Sequence, residues 1–314
     1  MSVLVTGGTG FIGSHLARRL VKEGKDVILF DIAPNFRLID DIRDDVQVVR
    51  GDLAVWADVV DSVKKCEVED IFHLGAVLSA AAESSPMTAF GVNFLGTLNV
   101  LEAARILGVQ KVLYSSSVAS YGPGLPEPVA EGARQEPRTI YGISKVFSEL
   151  LGLYYWRRYE IDFRAIRFPS VVGPGRGVGG ASAYSTLIIQ MAALKQPYEI
   201  DVDEDARMPI LYCKDAVDAL ITLHDSADPR SRIYNIAGVS PTALEIVEEV
   251  RRHIPDAPLK FAPQPEIVAI VDSWPATLDD KRARQELGWK LSYPLDRLVV
   301  DFINEMQDQK HLYT

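Results

Sequence analysis

The 314-residue sequence predicts an α/β protein built on a doubly wound parallel sheet, with a smaller C-terminal portion. Short apolar runs alternate with longer amphipathic segments through the first half of the chain, as in strands that are joined by crossover helices. Near the N-terminus a glycine turn links the first strand pattern to the first helix pattern. Beyond residue 172 the alternation gives way to shorter elements. These features predict a Rossmann-type sheet followed by a less regular region.

The apolar runs predict six strands in the first half, followed by one more that is expected to return to the same sheet. The strands are expected at 3–6, 26–31, 46–49, 70–74, 111–115, 162–168 and 232–237. Helical spacing of apolar residues predicts one helix that begins at 11 and three helices at 86–108, 139–159 and 183–194. Further helices are expected after Lys214, from Ser240, and in two short pieces beyond 279. Loops rich in Gly and Pro are expected at 122–137 and 173–180.

This element order predicts two functional portions. Residues 1–172 would form the dinucleotide-binding domain, with 208–238 returning to it. Residues 173–207 and 239–314 would form a substrate-binding portion that closes the crevice. Ligands of a doubly wound sheet lie beyond the carboxyl ends of its strands.

The glycine turn is the strongest functional pattern in the sequence. Gly7, Gly10 and Gly13 stand between a strand and a helix, where glycine allows a tight turn and close approach of a diphosphate to the helix N-terminus. The second strand ends in Asp31, near the spacing at which a carboxylate binds ribose hydroxyls. A purely structural turn remains the alternative for the glycines alone. Their context predicts a dinucleotide site.

Composition excludes several functions. The net charge of −10 gives no basic field for nucleic acid or an anionic membrane surface. Cys66 and Cys213, the only cysteines, suggest neither a disulfide framework nor a zinc site, and the five histidines lack metal-ligand spacing, so no metal is expected. The first strand leaves no room for a signal peptide, and no apolar run reaches membrane-spanning length. A cytoplasmic protein is the expectation.

Tyr141 and Lys145 would lie one turn apart on one helix face, which suits a tyrosine base whose pKa a nearby ammonium lowers. The same pair could be a half-buried tyrosine beside a solvated lysine. The preceding strand ends in three serines, residues 115–117, whose hydroxyls would face the same crevice or cap a turn. His73, inside an apolar strand, is more often a satisfied core histidine than a base.

In combination these motifs resemble the extended short-chain dehydrogenase/reductase family. The resemblance rests on Thr6 to Gly13, Asp31, Gly51 to Leu53, the serines at 115–117, and Tyr141 with Lys145. It implies catalysis by Ser117, Tyr141 and Lys145, with NAD as cofactor. It also implies that NAD contacts Gly7, Gly10, Phe11, Ile12, Gly13, Asp31, Asp52, Leu53, Leu74, Gly75, Ala76, Tyr141, Lys145 and Phe168.

Within that family the C-terminal residues resemble the threonine dehydrogenases, through Ser273-Trp274-Pro275 and Pro209. The resemblance implies NAD-dependent oxidation of L-threonine at C3 to L-2-amino-3-oxobutyrate. The substrate would contact Ser79, Ser117, Tyr141, Gly180, Ala181, Ser182 and Trp274. The chain departs from that subgroup at 181–183, where Ala, Ser and Ala replace threonines and an acid. Core packing is an equal alternative for Trp274.

The alternative substrate is a nucleotide sugar, handled by a 4-epimerase or dehydratase. Such a substrate brings a second diphosphate, which usually needs a well-placed Arg or Lys. The matching position here is Met208, and no Lys or Arg occurs between Lys260 and Lys281. A non-catalytic NAD-binding protein is a further alternative. The family resemblance implies a homodimer through the helices at 86–108 and 139–159, and a monomer remains open.

Overall fold

The computed structural model describes residues 1–177 and 179–313, so that Val178 of the predicted second loop lies outside the described residues. The first half alternates strands and helices. Its elements are β1 (Ser2–Thr6), α1 (Phe11–Lys22), β2 (Asp26–Asp31), a 3-10 segment (Phe36–Asp45), β3 (Val46–Arg50), α2 (Trp56–Lys65), β4 (Asp70–His73), α3 (Ser79–Ser84), α4 (Pro86–Ala89), a π-helical segment (Phe90–Leu95), α5 (Gly96–Leu107), β5 (Lys111–Ser117), a 3-10 turn (Val118–Ser120), α6 (Ile140–Tyr159) and β6 (Asp162–Phe168).

The second half consists of shorter elements, as predicted. They are β7 (Ser170–Val172), a 3-10 turn (Ala181–Ala183), α7 (Tyr184–Ala193), β8 (Tyr198–Ile200), β9 (Ile210–Tyr212), α8 (Cys213–Asp225), β10 (Ile233–Asn235), α9 (Ala243–His253), β11 (Leu259–Phe261), α10 (Pro265–Val271), α11 (Lys281–Leu287), α12 (Leu295–Asp308) and α13 (Lys310–Tyr313).

Seven strands form the central sheet, in the order β10-β6-β5-β4-β1-β2-β3. All neighbours are parallel, so the predicted doubly wound sheet is confirmed. The strand predicted at 232–237 does return to it, because β10 pairs with β6. The chain winds in opposite directions from β1, which opens a crevice at the carboxyl ends of β1 and β4.

Alternating side chains of each strand build a core on both faces of the sheet. Val3 and Val5 pack into one buried cluster, and Leu4 between them packs into the other. On β2, Leu29 and Phe30 divide in the same way. Burial on both faces explains why these strands read as continuous apolar runs.

One predicted helix start is wrong by two residues. The Ser240-Pro241 pair predicted the beginning of the helix, but α9 begins at Ala243 with Thr242 as its N-cap. The Thr242 hydroxyl accepts a hydrogen bond from the Glu245 backbone N–H at 3.0 Å, and the Glu245 carboxylate accepts one from the Thr242 backbone N–H at 2.7 Å. This reciprocal box satisfies two backbone donors, which a Ser-Pro start does not.

Among the described helices, none is long and apolar enough to cross a membrane. No group of three His, Cys, Asp or Glu side chains within residues 1–177 and 179–313 could hold a metal ion.

His73 is a buried, hydrogen-bonded core histidine, with its ring nitrogens 2.8 Å from the Thr6 hydroxyl and 3.1 Å from the Thr97 hydroxyl. Burial, with a smaller contribution from the Lys145 charge, lowers the pKa of His73 to about 3. The unfolded chain therefore binds more protons than the folded chain between pH 3 and the unfolded pKa of about 6.5. His73 therefore does not lower the free energy of unfolding above about pH 6.5, and this free energy declines as the pH falls below that value.

We expect the free energy of unfolding to fall by about 2 kcal/mol between pH 6.5 and pH 5 because of His73 alone. Urea unfolding of the wild type and of His73→Asn at both pH values measures this. The loss should be smaller in the variant by about that amount. An equal loss in both proteins would contradict a neutral, buried His73.

Candidate active site

The glycine turn packs tightly against the loops that follow β4 and β2. Gly7 has a φ of +64°, and a Cβ there would lie 2.9 Å from the Cα of Gly75. A Cβ on Gly13 would lie only 2.3 Å from the carbonyl oxygen of Gly7. Both positions require glycine, since a side chain would push the turn apart. The turn before α1 is thus a tight structure that only glycine permits at these two positions.

Asp31 is connected to the same turn. Its carboxylate accepts hydrogen bonds from the Thr9 hydroxyl at 2.8 Å and the Thr9 backbone N–H at 3.3 Å. The structure therefore brings together the acid at the end of β2 and the glycine turn, as the spacing predicted.

The other predicted cofactor residues surround this turn. Leu74 and Gly75 each donate a backbone hydrogen bond to the Thr6 hydroxyl at 3.1 Å. The buried Leu53 reaches Gly75, and its neighbour Asp52 accepts a bond from the Ala54 N–H at 2.8 Å. All of these lie at the carboxyl ends of β1, β3 and β4.

Ser117 ends β5, and Tyr141 and Lys145 lie in the first two turns of α6. A Cβ on Gly142 would lie 2.2 Å from the Ala119 carbonyl oxygen, so this glycine lets the start of α6 press against the turn that follows Ser117. Phe168, at the end of β6, is in register with Ser117. The predicted catalytic residues thus lie together at the carboxyl end of β5.

The Lys145 side chain runs beneath the Tyr141 ring. Its Nζ lies 5.2 Å from the ring centroid and donates a hydrogen bond to the Ser115 carbonyl oxygen at 2.6 Å. Tyr141 and Lys145 therefore share one face of the helix, as predicted. The alternative of a solvated Lys145 is wrong, since this residue is only 2% exposed.

The pKa values of Tyr141 and Lys145 differ from those expected from the sequence. Burial raises the pKa of Tyr141 to about 12, and its hydrogen bond with Ser117 opposes that rise. Burial lowers the pKa of Lys145 to about 7, against the opposing charge of Glu149. The expected lowering of the Tyr141 pKa is therefore not seen, because desolvation of the phenol has the largest effect on it.

Ser117 and Ser116 also serve the local structure. The Ser117 hydroxyl accepts a bond from the Ala119 N–H at 3.2 Å, which is the turn-capping role considered for the serines. The Ser116 hydroxyl instead donates to the buried Glu149 carboxylate at 2.5 Å.

Behind these residues lies a buried ion pair that the sequence did not predict. Glu149 and Arg167 form two hydrogen bonds, of 2.8 and 2.7 Å, and both are almost fully buried. Arg167 also donates to the Tyr121 hydroxyl at 2.7 Å. A signal existed in the position of Glu149 one turn after Lys145, but its partner on β6 follows only from the folded sheet.

Apart from Ser117 and Tyr141, the predicted substrate residues lie in three segments: the start of α3, the 3-10 turn after Gly180, and the residues after α10. Ser79 begins α3, and the Asn93 amide fixes the preceding backbone by accepting from the Val77 N–H at 2.8 Å and donating to its carbonyl at 3.0 Å. Asn93 also donates to the Ser144 hydroxyl at 3.3 Å. Ser79 is thus held beside α6.

Ala181 and Ser182 form the 3-10 turn that follows Gly180, and α10 packs beside this turn. Trp274 lies just after α10 and borders a cavity of about 160 Å³ together with Gly122 and Leu125. Its ring also packs against the main core cluster. Trp274 is therefore part of the contact between the C-terminal portion and the predicted 122–137 loop.

The sequence matches the NAD dependent epimerase/dehydratase family over residues 3–237. The chain belongs to this family. It is 35% identical to the mitochondrial L-threonine 3-dehydrogenase of Bos taurus, over 96% of this chain and 82% of that protein. Two similar solved structures are L-threonine dehydrogenases. That of Cupriavidus necator in its holo form has a TM-score of 0.90 and 31% identity, over 98% of this chain and 100% of that chain. That of Clostridium difficile has a TM-score of 0.91 and 30% identity, over 98% of both chains.

Membership of this family gives NAD as the cofactor, and the residues present fit it. The backbone at Gly7 and Gly13 admits no side chain, which suits close approach of a diphosphate. Asp31 opposes a 2′-phosphate by its charge and suits free ribose hydroxyls. Thr9 holds that carboxylate against the turn.

We expect Gly13→Ala to weaken NADH binding by at least tenfold, because its Cβ would collide with the Gly7 carbonyl and displace the turn. Titration of the variant with NADH, followed by nucleotide fluorescence, measures this. Gly132→Ala is the matched control, since a Cβ there meets no atom within 4 Å and should leave the affinity unchanged. Equal affinities for NADH in both variants would contradict the assigned role of the turn.

Proposed function

We propose that this protein is an NAD-dependent L-threonine 3-dehydrogenase that oxidises L-threonine at C3 to L-2-amino-3-oxobutyrate. The observation that carries this proposal is the convergence of Ser117, Tyr141 and Lys145 at the carboxyl end of β5, two strands from β1 and the glycine turn that follows it. The similarity to threonine dehydrogenases over nearly the whole chain supports the substrate.

In this proposal Ser117 and Tyr141 hydrogen-bond the substrate hydroxyl, and the Tyr141 phenolate takes its proton. NAD, when bound, supplies the acceptor for the hydride that leaves C3. Lys145 holds the nicotinamide ribose and favours the phenolate whenever it is charged. Because burial raises the pKa of Tyr141 to about 12, formation of the phenolate depends on a charged Lys145.

Ser79 and the turn Gly180 to Ser182 would hold the amino and carboxylate groups of the substrate. Trp274 would close over this compact ligand and exclude water. Its place between α10 and the 122–125 loop supports such a closing role.

The alternative, a nucleotide-sugar 4-epimerase or dehydratase, uses the same three catalytic residues. Met208 is an uncharged residue and is 2% exposed, so it cannot bind a second diphosphate as an Arg or Lys would. Its neighbour Arg207 is exposed, donates to the Ser240 carbonyl and lies 3.6 Å from Glu245. These contacts favour the smaller substrate. The intact set of Ser117, Tyr141 and Lys145 disfavours a non-catalytic NAD-binding role.

The deciding experiment incubates the purified protein with NAD and L-threonine and follows NADH absorbance. A parallel assay measures interconversion of UDP-glucose and UDP-galactose. NADH formation supports the proposal, whereas interconversion without it supports the epimerase. The absence of both activities supports a binding protein without catalysis.

We further propose that the protein forms a homodimer. Large apolar side chains are exposed along the π-helical segment and α6, including Phe90, Leu95, Phe147 and Leu150. Pairing of these helices between two subunits would bury them. Sedimentation velocity distinguishes this dimer from a monomer.

A further inference from the structure

Arg176 lies in the loop that follows β7, and its side chain is held by hydroxyl groups. Its Nη1 donates to the Ser170 hydroxyl at 2.9 Å and the Thr186 hydroxyl at 3.3 Å. Its Nη2 donates to the Ser182 hydroxyl at 2.6 Å. These three neutral contacts fix the guanidinium against the turn to which the substrate has been assigned.

This cation has no carboxylate partner within residues 1–177 and 179–313. Arg176 is half-buried, and the more deeply buried arginines differ from it, because Arg164 pairs with Asp162 and Arg167 pairs with Glu149. Burial lowers the pKa of Arg176 to about 10, with no carboxylate charge to offset it. The side chain is thus a desolvated positive charge that the described protein leaves uncompensated.

The guanidinium also retains free donors. Of the five N–H groups of an arginine, three are used here, and the Nε–H and one N–H of Nη2 have no partner among the described residues. Nε and Nη2 lie on one edge of the planar group, an edge by which arginine binds a carboxylate through two parallel hydrogen bonds. The unused donors therefore suit a planar oxyanion.

Arg176 is anchored close to the catalytic residues. Phe168 is in register with Ser117, which places their Cα atoms about 5 Å apart. Ser170 follows by two residues, so its Cα lies within about 12 Å of that of Ser117. The Ser170 hydroxyl that anchors Arg176 therefore belongs to a residue near the carboxyl end of β5, where Ser117 lies.

We propose that Arg176, together with Ser182, binds the carboxylate of the substrate. This inference rests on the proposed function and specifies how the site holds an amino acid despite Ala, Ser and Ala at 181–183. The diphosphate of the dinucleotide has similar chemistry, and the loop also borders α1, where His15 bonds to the Pro174 carbonyl oxygen. The anchoring of Nη2 by Ser182 favours the substrate carboxylate.

The test compares L-threonine with L-threoninamide, which keeps the hydroxyl and the amine but replaces the carboxylate by a neutral amide. We expect Arg176→Met to lower kcat/KM for L-threonine by about 10- to 100-fold and to change kcat/KM for the amide little. Arg176→Lys keeps the charge but lacks the fork, so its loss should be intermediate. The KM for NAD should stay unchanged in both variants.

Arg230→Met is the matched control. This exposed arginine precedes β10 and so lies at the amino end of that strand, whereas Ser117 lies at the carboxyl end of β5. The kinetics of this variant should equal those of the wild type. Equal losses for both substrates would assign Arg176 a structural role and overturn the proposal. A raised KM for NAD with unchanged discrimination would assign it to the diphosphate and overturn it as well.

The failure of the proposed function gives a different result. If the wild type oxidises neither compound, the melting temperature of the NADH complex is measured with and without 3-hydroxybutyrate. Stabilisation that Arg176→Met abolishes would support the carboxylate site while the threonine assignment fails. No stabilisation of the wild type would overturn the carboxylate site too.

Discussion

Replacing Tyr141 by Phe should lower the turnover of L-threonine by about 10²- to 10⁴-fold while NAD affinity stays nearly unchanged. The substitution removes one oxygen atom at the start of α6. The ring, its packing and the nearby Lys145 remain, and the glycine turn that would hold the diphosphate is untouched. The loss should therefore appear in kcat and not in the KM for NAD.

Steady-state kinetics of Tyr141→Phe, with NADH titration of the same sample, measures both quantities. Tyr159→Phe is the matched control, because this tyrosine ends the same helix and is 38% exposed, far from the crevice. Its turnover should equal that of the wild type. Unchanged turnover in Tyr141→Phe would remove the tyrosine from the proton transfer and require another base.

The sequence was sufficient to predict the sheet and the place of the crevice. Strands buried on both faces have long apolar runs, and a glycine turn between a strand and a helix constrains the backbone strongly. Tyr141 and Lys145 were predictable as one helix face for the same reason. These features depend on neighbours within a few residues, which a single sequence displays.

What could not be predicted depends on contacts between distant segments. Gly142 is needed only because α6 approaches the Ala119 carbonyl. The direction in which the Tyr141 pKa shifts follows from burial, which has a larger effect than the opposing hydrogen bond with Ser117. Arg176 stood in a loop of glycines with no sign of its hydroxyl partners. The hydrophobic periodicity of the sequence does not reveal such contacts between distant residues, because they depend on how the loops pack.

Replacing Glu149 by Gln should destabilise the fold by about 3–5 kcal/mol, because it leaves the Arg167 charge buried without its carboxylate. Arg167 is 4% exposed and Glu149 is 1% exposed. Burial lowers the pKa of Arg167, but the hydrogen bonds and charge of Glu149 more than compensate and leave it raised. Without that charge the desolvation cost of the guanidinium is unopposed.

Urea unfolding of Glu149→Gln measures this loss, and Glu23→Gln provides the matched control. Glu23 pairs with Arg19 on the surface of α1, with side chains 30% and 41% exposed, so its loss should cost less than about 1 kcal/mol. Equal stability of the two variants would contradict a buried, uncompensated charge.

The double variant Glu149→Leu with Arg167→Met separates the charge from the packing. A pair of apolar side chains of similar volume needs no counter-ion, so much of the stability lost in Glu149→Gln should return. The same pair also reaches the catalytic lysine, because the Glu149 charge opposes the lowering of the Lys145 pKa. Removing this charge should lower the Lys145 pKa further, so Lys145 should lose its proton at a lower pH and kcat/KM of the double variant should fall at a lower pH than that of the wild type. The buried pair of Glu149 and Arg167 would then have two effects: it would stabilise the packing of α6 on β6, and it would influence proton transfer through the charge of Lys145.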